Sequence, residues 1–161
     1  MSNLIDILYY ICKNYPHKDE LSKARLTKMV YLSDWKSCLV KDCQLTAIDW
    51  FFDNYGPFVD DVHKEIEKRG DLINITHTSN CYGYDKTLYM IAENDYIPIL
   101  EDDEKKIIDE VIDKTKTMHW DGFINFVYST YPIATSPRYS KLNLLEKAHE
   151  YKKMLNDSKS V

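Results

Sequence analysis

The stretch "DELSKARLTKMVYLSDWKSCL" at residues 19–39 constrains the fold more than any other part of the chain. Read at helical period from about Ser22 to Leu39, it carries Leu26, Met29, Val30, Tyr31, Leu32, Trp35, Cys38 and Leu39. These cover most of the helix circumference instead of forming one stripe, so the helix has to be enclosed. It is expected to be the central, most buried element. Lys23, Arg25, Lys28 and Lys36 are expected to reach solvent. Asp34 interrupts the apolar run. It is expected to sit at a gap in the core coverage or to pair with a basic residue.

Other elements follow from period and punctuation. Leu4, Ile7, Leu8 and Ile11 mark one face of a helix over residues 3–14, ended by Pro16. "AIDWFF" at 47–52 is rich in strand formers, with Ile48, Trp50 and Phe52 pointing one way and Asp49 and Phe51 the other. In "DNYGPFVDDV" at 53–62, the pair Gly56-Pro57 is expected to stop that strand and launch a helix. Gly56 would be extended or at positive φ, and Gly56→Val is expected to impair folding. Val59, Val62 and Ile66 continue at helical spacing to Gly70. "LINITH" at 72–77 and "TLYMIA" at 87–92 read as strands, with Asn80 and Gly83 as turn residues between them. Together with 47–52 they are expected to form one small antiparallel sheet of two or three strands.

Downstream, "DDEKKIIDEVIDKTKTM" reads as a helix with an acidic first turn. "WDGFINFVYSTYP" reads as a further helix stopped by Pro132, and residues 142–156 as a last helix, with the closing "NDSKSV" expected to fray. The fold class is therefore α+β: a mostly helical single domain of about five to six helices with a small two- or three-stranded antiparallel sheet. The domain is set at residues 1–157, with 158–161 as a frayed tail.

Composition narrows the function classes. With 161 residues and 44% hydrophobic content, the chain can bury one core. No window reaches the roughly 18 apolar residues of a membrane span. The start "MSNLIDILYYICKNYP" reads as an amphipathic helix and not as a signal peptide, so a cytoplasmic protein is expected. A net charge of −5 with dispersed basic residues argues against duplex nucleic acid, whose binding rests on phosphate neutralisation. Cys12, Cys38, Cys43 and Cys81 form no Cys-x-x-Cys pair and read as small buried hydrophobes.

Catalytic motifs are not found. Four glycines are too sparse for a phosphate loop, and the histidines His17, His63, His77, His119 and His149 show no metal-ligand spacing. "EDDE" at 101–104, like Asp60 and Asp61, sits where a helix begins, and acids there complement the macrodipole. No catalytic residue, cofactor or metal is assigned. Thirteen tyrosines exceed what one core of this size holds, so some must be exposed, where such rings favour protein contact.

In combination, "RLTKMVYLSDW" at 25–35, an aromatic stretch ending in "YGPFVDDV" at 55–62, "TYPI" and the closing "NLLEKAHEYK" resemble the Panacea antitoxin domain family, also called SocA-like. The resemblance runs in order over roughly residues 4–153. It implies a mostly helical α+β domain that acts without catalysis, as an antitoxin neutralising a cognate toxin by direct binding. One branch of the family consists of adaptors that deliver a bound toxin to a protease. Some members carry DNA-binding regions, and the expected domain leaves no added segment here for a helix-turn-helix. The residues singled out for partner contact are Trp50, Phe51, Tyr55, Phe58 and Asp61, with Gly56 and Pro57 as the structural turn. Three other readings stay open. One is a phage or mobile-element protein that binds a host factor, one is a transcriptional regulator, and one is a small-ligand sensor or enzyme using dispersed residues such as Asp34, His63 and His119.

Overall fold

A computed structural model describes residues 2–79, 83 and 85–159. The chain opens with α1 (Leu4–Asn14), passes a short 3-10 turn at Lys18–Glu20, and enters α2 (Lys23–Lys41). Ser22 caps α2, its side chain accepting from the Arg25 amide at 3.2 Å. Asp42 ends it in the left-handed region at φ 58°. Leu26, Met29, Val30, Tyr31 and Cys38 are fully buried. The helix packs against α1 and against elements that come later in the chain, as the apolar circumference requires.

Enclosure on all sides corrects one expectation. Arg25 and Lys28 do not reach solvent, since each is only 2% exposed. Arg25 Nη2 donates to the carbonyls of Thr115 and Met118 at 3.0 and 2.7 Å, and the guanidinium lies 4.4 Å from the Phe123 ring centroid. Lys36 does reach the surface and pairs with Glu110 at 2.6 Å.

Next come β1 (Trp50–Asp53), β2 (Gly56–Pro57), α3 (Asp61–Lys68), β3 (Ile73–Ser79) and β4 (Asp85–Ile91). The remainder is α4 (Asp102–Thr115), α5 (Trp120–Ser129), α6 (Tyr131–Ala134), β5 (Lys141–Leu142) and α7 (Leu144–Lys159). The fold is thus α+β, with seven α-helices and two small antiparallel sheets among the described residues.

The strands do not join into one sheet. β1 is the centre of a three-stranded sheet ordered β2-β1-β5, and β3 and β4 pair only with each other. Both edges of β1 are occupied: Phe52 faces Pro57 on one side, and Trp50 faces Leu142 on the other. No edge is left for β3 or β4. Their own register runs from Ile73↔Ile91 to Ser79↔Asp85. The turn residue Gly83 has φ 81°, whereas Asn80 and Cys81 lie outside the described residues.

Pro57 does not open a helix. It lies in β2, on an edge strand where its missing N–H costs no ladder bond. The helix begins only at Asp61, and Asp60 caps it by position without a side-chain hydrogen bond. Pro132 likewise does not stop α5, which ends at Ser129. It sits in the first turn of α6, where a proline is tolerated. The acidic start of α4 behaves as read, with the Glu104 carboxylate accepting from the Glu101 amide at 2.9 Å. α7 runs on to Lys159, beyond the expected end at 156.

Candidate interaction surface

The residues singled out in the sequence gather on and around one hairpin, β1–β2. Its base is rigid. Trp50 is 1% exposed; its ring meets Tyr31 edge-on at 5.6 Å and its Nε1 donates to Asp34 at 2.9 Å. Asp34 also accepts from the amides of Leu45 and Thr46 at 2.8 and 3.0 Å, from Thr46 Oγ1 at 2.5 Å and from Gln44 Nε2 at 3.3 Å. Neither the expected gap nor a basic partner is found, because the carboxylate is completely buried and all five donors are neutral. Burial pushes its carboxyl up to about 6, while the hydrogen bonds from Thr46, Trp50 and Leu45 pull it down. Five donors and no acceptor around it favour the carboxylate form. It ties the loop after α2 to the start of β1, so the hairpin leaves the core in a fixed direction.

The turn at Asn54-Tyr55 projects outward, with Tyr55 76% exposed. Gly56 follows at φ 107°, where side chains are strained. A Cβ there would also meet Tyr128 Cε2 at 3.4 Å and Lys28 Cε at 3.6 Å. Those are ordinary contact distances, so it is the positive φ that supports the expectation for Gly56→Val. Phe58 closes the ladder, its amide donating to the Phe51 carbonyl at 3.0 Å. Phe51 and Phe58 are half-buried and Asp61 is exposed. Of the five contact candidates, then, Trp50 lies inside the core and the other four reach the surface.

Sequence reasoning missed a second wall, the segment before β5. Tyr139 has φ 65°, unusual for a bulky residue. Its amide donates to the Phe52 carbonyl at 2.6 Å, and the Phe52 amide returns a bond to the Ser140 carbonyl at 2.9 Å. Tyr139 Oη donates to Asn54 Oδ1 at 3.1 Å, which braces the turn, yet its side chain stays 62% exposed. The signal available in the sequence was the irregular "IATSPRYS", which periodicity cannot place.

The dispersed residues considered for a ligand or enzyme site do not come together. Asp34 is committed to the loop above. His63 Nδ1 bonds Tyr89 Oη at 2.5 Å and its Nε2 lies 3.3 Å from Glu67, while His119 precedes α5. Among the described residues no group of three His, Cys, Asp or Glu is placed to hold a metal ion. Cys12 and Cys38 are buried as expected, and Cys43 is exposed. No helix among the described residues is long and apolar enough to cross a membrane.

A family model described as the antitoxin SocA-like Panacea domain matches residues 26–132. The chain belongs to the SocA-like Panacea family. The match takes in most of α2 with Lys28 and Asp34, and the whole β1–β2 hairpin with Trp50 to Asp61. Family membership points to a role related to toxin–antitoxin systems. β5, the Tyr139 brace and α7 lie beyond the matched Panacea stretch. Comparisons with curated proteins and with solved structures found no match.

Proposed function

We propose that this chain is a cytoplasmic, non-catalytic antitoxin that neutralises a cognate toxin by direct protein contact through the β1–β2 hairpin. The observation that carries this reading is the pair of outward rings, Tyr55 and Tyr139, held over a rigid base. Tyr55 stands at the tip of a turn fixed by Gly56, and Tyr139 is locked by its backbone and by Asn54. Aromatic side chains fixed before binding lose little entropy on contact, so they favour affinity. Half-buried Phe51 and Phe58 extend the apolar area, and Asp61 supplies a charge at its rim. Delivery of the bound toxin to a protease would use the same contact.

The test is capture of the product of the adjacent reading frame by the tagged chain, read by native mass spectrometry. Tyr55→Ala and Phe58→Ala are then compared with the wild type. Each should weaken the complex tenfold or more while leaving the melting temperature of the free chain within a few degrees. Wild-type affinity in both variants would overturn the hairpin as the contact.

A further inference from the structure

Between α2, α4, α5, α6 and α7 lies a partly enclosed cavity of about 370 Å³. That falls within the range of small-ligand sites, about 300–1,000 Å³, and helix junctions are a usual place for them. The floor is apolar, formed by buried Leu32, Trp35 and Val111. The walls are the half-buried rings of Phe126, Tyr131 and Tyr151. These rings hold one another in place, with Tyr151 packed against Trp35 at 6.1 Å and against Tyr131 at 5.3 Å. Where α5 gives way to α6, the small side chains of Ser129 and Ala134 line the mouth and leave it open.

The charges at that mouth are unequal. Lys36 and Glu110 neutralise each other at 2.6 Å. Lys114 also lines the cavity, one turn along α4 from Glu110, and forms none of the ion pairs among the described residues. Its Nζ lies 5.8 Å from the Phe126 ring centroid. One uncompensated positive charge therefore stands beside an aromatic wall. A flat apolar body bearing a single negative charge matches both halves of the site. A neutral ring would leave the ammonium unmatched, and a dianion would press a second charge on apolar walls.

We propose that this cavity binds a small aromatic monocarboxylate, its ring against Trp35, Tyr131 and Tyr151 and its carboxylate on Lys114. The site uses no hairpin residue, so it stands or falls independently of the contact proposed above.

The test titrates the full chain, with 13C-labelled methyl groups, with phenylacetate and in parallel with the neutral phenylacetamide. The methyl signals of Leu32, Leu39, Val111 and Ala134 should shift saturably with the acid, with a dissociation constant on the order of 1 mM or below. The amide should bind about tenfold more weakly. Lys114→Ala should erase that difference and keep its melting temperature within a few degrees of the wild type, because the side chain is exposed. Ala134→Phe should fill the mouth and abolish the shifts with both probes. Equal affinity of the wild type for acid and amide would overturn the proposal, as would a Lys114→Ala variant that still prefers the acid. The absence of a saturable shift would overturn it too, as would equal shifts at Ile48 and Leu142, which line a separate cavity. If Ala134→Phe fails to fold, the acid–amide difference and its loss in Lys114→Ala still decide.

Discussion

Asp34 shows how one side chain can fix a surface it never touches. Each of its neighbours offers a proton, so the site is built for an acceptor that carries charge. Asp34→Asn would turn an N–H group toward those donors. It should cost about 2–4 kcal/mol, the range for disturbing buried bonds to a charged group, and lower the melting temperature measured by circular dichroism. Asp34 was visible in the sequence as an anomaly, a carboxylate within an apolar helix. Its partners were not visible, because the loop from Gln44 to Ile48 has no period that reveals where it folds back. Arg25 and Lys28 were misread for a related reason. A basic residue on a helix is ordinarily solvated, and local sequence does not say how many neighbours surround the helix.

Among the elements, the β1–β2 hairpin is the one the sequence misassigned, since Gly56-Pro57 read as the launch of a helix and lies in a strand. A proline fixes φ near −65° both in the first turn of a helix and on an edge strand, so "YGPF" suits either use. What decides between them is the pairing of Pro57 with Phe52 on one edge of β1, whose other edge is held by β5, a two-residue strand near the other end of the chain that no periodicity could announce. Leu142 is 4% exposed and paired with Trp50, which makes it the anchor of that strand. Leu142→Ala should cost about 2–4 kcal/mol through the cavity it leaves. It should also speed hydrogen exchange at the Phe52 amide, which is bonded to the Ser140 carbonyl, more than at amides of β3 and β4. Equal acceleration in both sheets would mean that β5 does not hold the hairpin independently. By contrast, the long helices read correctly, since each presents several turns of consistent spacing.

In the molecule as a whole, α2 is the axis on which the other parts meet. It packs against α1, α3, α4, α7 and β4, and through Asp34 it holds β1. An apolar circumference sustained from Leu26 to Leu39, about four helical turns, was enough to predict that centrality from the sequence. The division into two sheets was not predictable, because it depends on which strand reaches β1 first in space, not in sequence. One shared axis implies one cooperative unit. Trp35 packs on Tyr151 of α7 and Trp50 on Tyr31, so tryptophan fluorescence reports both sides of α2. Its thermal midpoint should coincide with that of helical circular dichroism, and separated midpoints would show that the hairpin melts on its own. The pairing of Trp50 with Leu142 also sets a schedule for biosynthesis. Until residues 139–142 have left the ribosome, β1 has an unpaired edge and the Tyr55 turn has no brace. At elongation rates of about 5–20 residues per second that interval lasts on the order of 5–20 s. The braced hairpin is among the last features of the protein to form, and a chain released early would carry the hairpin sequence without its shape.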